Sequence, residues 1–222
     1  MKTFKYEYFI GVDEVGRGPL AGPVALGAVL LKSEFVNKNK AWGRGFKDSK
    51  KLSAKAREVW LLKIKEAQKE GWLEYAVVFV APTVIDKKGL SYAIRLAIEK
   101  ALERLNQAGN LLGSSTPKFP NSKLNIQYST LVLLDGGLRA PSQYLNQKTI
   151  IKGDEKELSI ALASIVAKVA RDKRMVSLSK KFPQYGFEKH KGYGTLAHYE
   201  AIKKHGITPH HRKSFLSSKL DK

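Results

Sequence analysis

The chain has 222 residues, 43% of them hydrophobic, and a formal net charge of +20 from 40 Lys and Arg against 20 Asp and Glu. That length suits one domain with room for a small appendage, and the charge points to a polyanionic partner, nucleic acid being the commonest, although a merely basic surface carries the same sign. The absence of cysteine excludes disulfides and thiolate metal sites, and no apolar run approaches the ~18 residues of a membrane span.

MKTFKYEYF lacks the apolar stretch and cleavage site of a signal peptide, so a cytoplasmic location is expected by elimination. YEYFIGV (6–12), rich in aromatic and β-branched residues, reads as a strand. GRGPLAG is a glycine-rich turn and PVALGAVLL (23–31) a second strand, so the first two elements predict a hairpin. Residues 33–52 predict an exposed, basic loop. SAKAREVWLLKIKEAQKE (53–70) predicts a helix with Ser53 as N-cap and Gly71 as its stop. WLEYAVVFVA (72–81) predicts a third strand ended by Pro82, and GLSYAIRLAIEKALERLNQAG (89–109) an amphipathic helix. Residues 110–126 read as a loop. YSTLVLLD (128–135) predicts a buried strand, and KTIIKGD (148–154) a short one. Two helices, 158–182 and 195–206, and a basic tail HHRKSF complete the chain. A hairpin followed by strands alternating with helices predicts an α/β fold: a mixed sheet flanked by helices.

Carboxylates stand at the strand ends. Asp13 and Glu14 close the first strand, Asp135 closes the fourth, and Asp154 follows the fifth. Functional groups gather at the carboxyl ends of strands in such sheets. Like charges within ~4–6 Å raise one another's pKa, and a divalent cation relieves that conflict. An all-oxygen ligand set suits Mg²⁺ or Mn²⁺. Two such ions suit phosphodiester hydrolysis. Adjacent strand residues point to opposite faces, so Asp13 and Glu14 are expected to share a site only if regular strand stops between them. Taken singly, each aspartate also reads as a turn former, and Asp154 with Glu157 as an acidic capping pair for helix 158–182.

Gly16, Gly18 and Gly22 are spaced one residue too widely for a dinucleotide fingerprint, and a strand follows them instead of a helix. They suit either a tight turn or close backbone approach to a ligand. Ser164, Lys168 and Arg171 recur on one helix face, which is either solvated or directed at phosphates. The five histidines lack zinc spacing; His198 and His205 read as helix-surface residues.

At these residues the sequence resembles the ribonuclease HII family. GVDEVGRGPLAGPV (11–24), DSKKLS (48–53), LLDG (133–136), KGD (152–154), ASIVAKVARD (163–172), FPQYGFEKHKGYGT (182–195) and HRKSF (211–215) follow in that family's order over almost the whole chain. The resemblance implies a ribonuclease H-like catalytic domain over 1–182 and a small helical, substrate-binding C-terminal extension over 183–222. It implies a monomeric endoribonuclease that cuts RNA in RNA–DNA hybrids and 5′ of single ribonucleotides embedded in DNA duplexes, leaving a 3′-hydroxyl. Asp13, Glu14, Asp135 and Asp154 would be its catalytic acids, holding two Mg²⁺ or Mn²⁺ ions; Asp172 is an outside candidate. The backbone of Gly16, Arg17 and Gly18 would meet the ribose 2′-hydroxyl, and Tyr193 would stack on the following sugar. Ser164, Lys168, Lys50 and Lys51 are candidates for phosphate contacts. The alternatives from the residues alone are a non-enzymatic nucleic-acid-binding protein and a DNA-specific nuclease of the same fold class.

Overall fold

The computed structural model describes residues 5–39, 42, 52–111 and 129–216. Strands β1 (Tyr8–Val15) and β2 (Val24–Lys32) form the expected hairpin, registered from Tyr8 with Lys32 to Val15 with Ala25. Strand β3 (Leu73–Val80) pairs antiparallel with β2. Strand β4 (Thr130–Asp135) lies parallel to β1, and β5 (Gln147–Ile150) parallel to β4. The sheet order is therefore β3-β2-β1-β4-β5, the expected mixed sheet.

Helices cover both faces because alternate strand residues are apolar on both. On one face, helix α4 (Leu90–Leu111), which follows α3 (Pro82–Lys88), presents Ala93, Ile94, Ala97, Ile98, Ala101, Leu102 and Leu105 to Ile10, Val12, Leu26 and Val132. On the other, α2 (Ala54–Lys69) and α6 (Leu158–Lys181) pack Ile64, Ala67, Leu162, Ile165 and Val166 against Val29, Leu31 and Leu73. Ser53 caps α2 as expected, its hydroxyl accepting from the Ala56 N–H at 3.1 Å. None of the described helices is long and apolar enough to cross a membrane.

Two expectations are corrected. Ser33–Lys38 is a helix, α1, and not loop: buried Phe35 packs edge-on against Trp42 at 4.9 Å and near Trp72 at 5.8 Å, so apolar anchors outweigh the surrounding lysines. The segment 148–154 is not one strand. Strand β5 stops at Ile150, Lys152 turns left-handed (φ 54°), and Gly153–Lys156 forms a single helical turn, α5.

Beyond α6, a 3₁₀ turn (Pro183–Tyr185) and the helices α7 (Phe187–His190), α8 (Leu196–His205) and α9 (Lys213–Leu216) build a third apolar cluster. Tyr185, Phe187, Ile202 and Leu216 gather there around Met175 of α6 and Leu20 and Ala21 of the β1–β2 turn.

Helix α6 lies unusually close to the sheet. A Cβ at Gly11 would overlap the Ser159 backbone, and one at Gly27 the Ala163 carbonyl. Gly11→Ala is therefore expected to destabilise the protein by about 1–3 kcal/mol through overpacking, read as a lowered urea midpoint.

Candidate active site

The β1–β4 register ends at Val12–Leu134, so the next pair of residues on these adjacent strands is Asp13 and Asp135. A cavity of about 350 Å³ opens there, lined by Asp13, Glu14, Asp135, Ser164 and Lys168, with Arg57 at its side. Asp13 is buried; it accepts from the Ser164 hydroxyl and, at 2.8 Å, from the Glu14 amide. Burial outweighs those bonds and, helped by the charges of Glu14 and Asp135, pushes the Asp13 carboxyl up to about 7. Burial also raises Glu14, although the Arg17 guanidinium holds its carboxylate at 2.8 Å.

The expected break between Asp13 and Glu14 is absent: regular β1 continues to Val15, paired with β2 throughout. Instead, β1 outruns β4. Asp13, Glu14 and Val15 have β2 on one edge only, and the open edge lets two residues of opposite strand parity line one cavity.

Asp135 accepts from the Gly153 N–H at 2.6 Å. The neighbouring residue, Asp154, is fully buried in α5 and is not among the residues lining the cavity. At the start of α6 the N-cap residue is Glu157, whose side chain makes no capping bond. Among the described residues no three Asp, Glu or His are already grouped as a metal cage; Glu14 is turned onto Arg17 and Asp135 onto Gly153. The donor chemistry nonetheless fits a hard cation: oxygen ligands whose mutual repulsion a divalent charge would relieve. Asp172 sits apart, paired with Lys168 at 2.8 Å and Arg57 at 3.8 Å. Lys50 and Lys51 lie outside the described residues, as do most of residues 110–126.

The glycine turn beside the acids is held from inside. Arg212 is fully buried and donates to the carbonyls of Gly16 (2.6 Å), Arg17 (2.8 Å) and Gly22 (3.0 Å). Arg171, also fully buried, donates to Pro23 O at 3.0 Å. Planar trans peptides place N–H opposite C=O, so the amides of Arg17 and Gly18 face away from Arg212. Gly16 needs its identity for the fold: φ is +88°, and a Cβ would strike Arg171. Gly18 does not, its nearest obstacle being the Tyr193 ring at 3.9 Å. Tyr193 is 43% exposed and stands over Gly18 and Arg171.

Three readings are thereby corrected. Arg171 belongs neither to a solvated face nor to a phosphate-binding one. The HHRKSF segment is no free basic tail, because His211 and Arg212 are buried. His198 is fully buried rather than on the surface, whereas His205 is exposed as expected. Sequence reasoning also missed Arg57, which only the packing of α2 on α6 brings to the acids.

A profile of the ribonuclease HII family matches residues 10–218. The chain belongs to the ribonuclease HII family. It is 40% identical to the ribonuclease HII of Bacillus cytotoxicus over 208 residues, covering 94% of this chain and 68% of that one. Its fold matches the ribonuclease H2 of Pyrococcus horikoshii with a TM-score of 0.63 at 25% identity, covering 93% of each chain. It also matches a ribonuclease HIII (Bst-RNase HIII) solved in complex with Mn²⁺, with a TM-score of 0.61 at 20% identity, covering 97% of this chain and 71% of that one. The ribonuclease H-like fold and the assignment as a ribonuclease stand on these matches, and the alternative of a non-enzymatic binding protein is set aside.

Between about pH 4 and about pH 7 native Asp13 retains a proton that the unfolded chain has lost, so its contribution to stability falls as pH rises through that window. Metal-free Asp13→Asn, neutral at every pH, is expected to melt above the wild type at about pH 8, with the gap closing towards about pH 4. Thermal melts across that range check it.

Proposed function

We propose that this chain cleaves RNA within RNA–DNA hybrids and 5′ of single ribonucleotides in DNA duplexes, leaving a 3′-hydroxyl, with Asp13, Glu14, Asp135 and Asp154 holding two Mg²⁺ or Mn²⁺ ions. The observation that carries it is the buried Asp13 carboxylate, with Glu14 and Asp135 as charged neighbours across one cavity in a strongly basic chain. The Mn²⁺ bound by the ribonuclease HIII of similar fold supports the choice of ion. Bound there, the two ions would activate a water and stabilise the leaving 3′-oxygen.

The chain's own residues supply the rest. Ser164 holds Asp13 in place, and the Gly153 amide of the α5 turn, next to Asp154 in the chain, grips Asp135. Lys168 and Ser164, on the cavity wall, suit contacts to phosphate, and Lys50 and Lys51 are candidates for the same task. The outward amides of Arg17 and Gly18 are donors for a ribose 2′-hydroxyl, the group that distinguishes RNA from DNA. Tyr193 beside them suits stacking on the next sugar. In this reading residues 1–182 are the catalytic domain and 183–222 the substrate-binding extension of a cytoplasmic monomer.

The test is a labelled duplex with one ribonucleotide, incubated with Mg²⁺, Mn²⁺ or a chelator. Nicking 5′ of the ribonucleotide, lost with chelator, is expected; equal cutting of an all-DNA duplex would favour a DNA nuclease. Asp13→Asn and Asp135→Asn should each lower turnover by more than about 100-fold, beyond what loss of a mere supporting residue costs, while duplex binding persists. Gly18→Ala should leave the melting temperature almost unchanged yet lower cleavage, because its Cβ would occupy space the fold leaves open.

A further inference from the structure

Lys191 and Gly192 are successive left-handed residues (φ 52° and 86°), and the first of them is not glycine. Such a turn persists only where its surroundings over-determine it. Three histidines surround this one. Their bonding partners leave no choice of tautomer, because a carbonyl only accepts and an amide N–H only donates.

The His190 Nε2 meets the Tyr185 carbonyl at 2.7 Å and must donate; its Nδ1 accepts from the Gly192 N–H at 3.2 Å. The His198 Nδ1 meets the Tyr193 carbonyl at 2.9 Å and must donate. The His211 Nδ1 accepts from the Thr208 N–H at 2.9 Å. A neutral His211 therefore carries its proton on Nε2 and gives it to His198 Nε2, 3.1 Å away. Every ring nitrogen has one role, and all three rings are neutral. Burial of His198 and His211 is consistent with this: it lowers His198 and takes His211 down to about 4. Rings pack the cluster closely, with His190 stacked on His198 at 4.5 Å and Phe187 edge-on to His198 at 5.5 Å.

We propose that His190, His198 and His211 are positioning residues: a relay of fixed tautomers, running from Thr208 through His211 and His198 to the Tyr193 carbonyl, that sets where the Tyr193 ring stands beside Gly18. The same turn is pinned from its other side, where the Gly192 carbonyl accepts from Leu20 N–H at 2.8 Å and Ala21 N–H at 3.2 Å. Tyr193 is thus placed by histidines that never touch substrate. The functional consequence rests on the reading of Tyr193 as a substrate-facing residue.

Two measurements on the full chain decide it. Long-range ¹H–¹⁵N NMR at neutral pH should show His198 protonated on Nδ1 only, and His190 and His211 on Nε2 only. A charged ring or the opposite tautomer at any of the three overturns the relay, and this readout needs no variant to fold. The second is a double-mutant cycle on cleavage of the one-ribonucleotide duplex. His198→Phe keeps the ring shape but strands the Tyr193 carbonyl and the His211 N–H, and should lower kcat/KM about tenfold. In a Tyr193→Ala background the same change should cost little. His198→Asn, whose amide N–H can stand where Nδ1–H stood, should recover much of the loss. Equal losses in both backgrounds would overturn the inference, because they would mean His198 acts on the fold at large. Failure of the underlying reading is separate: Tyr193→Ala would then lower cleavage of an all-RNA strand as much as that of the single ribonucleotide.

Discussion

Asp13 is a buried carboxylate that accepts from a hydroxyl and an amide and shares its cavity with two further carboxylates, while the cations on the cavity wall, Lys168 and Arg57, are paired with Asp172. Removing a charge from water without pairing it is among the costliest arrangements a fold can hold, and much of this architecture serves to hold it. Parallel pairing of β1 with β4 brings Asp135 level with Asp13. The short reach of β4 opens the edge through which Glu14 joins them. Gly11 and Gly27 let α6 settle on the strand backbones, which carries Ser164 to the Asp13 carboxylate. The raised proton affinity of Asp13 is the visible cost of that placement, and a divalent cation is the natural means of relieving it.

Beside this negative site lies a positive one turned inside out. Arg171 and Arg212 are buried beneath the β1–β2 turn, and their partners are main-chain carbonyls instead of carboxylates. Burial and the nearby Arg171 bring Arg212 down to about 10, still charged at neutral pH. Two of the chain's cations are therefore spent on shaping backbone. By holding carbonyls inward they turn amides outward, and they place a positive charge behind a surface suited to a polyanion. The C-terminal segment supplies Arg212, the histidine cluster and Tyr193, so the start and finish of the chain together form one wall. The Arg212 amide donates to Leu20 O at 2.7 Å, and Ala21 bridges to His211.

The legible parts were those whose chemistry conflicts with their neighbourhood. Asp13 and Glu14 closing an apolar strand in a basic chain, and Asp135 closing another, announce a site because local structure alone has no use for them. Strands β1 to β4 and the long helices follow from periodicity, with boundaries shifted by at most three residues. Helix α1 was missed because lysines mask the single anchor Phe35. The 148–154 segment was misread because β-branched residues precede a left-handed turn at Lys152 that no composition signals. Arg171, Arg212, His198 and His211 looked like surface because those residue types usually are; the burial of the two arginines depends on acceptors about 150 to 200 residues distant in the chain, and that of the two histidines on how the short C-terminal elements fold onto one another.

The sequence by itself determined the α/β class and the acids that close two strands, because strand periodicity and charge conflict are local properties that any short stretch displays, and it carried the family through its resemblance in seven motif blocks. Only the tertiary structure decided that Glu14 shares a cavity with Asp13 despite unbroken strand, that Asp154 is buried off the cavity wall, and that two arginines and three histidines hold the glycine turn and Tyr193. Those outcomes depend on strand register and on which carbonyls remain unpaired at the surface of another element, and neither exists until the chain has closed on itself.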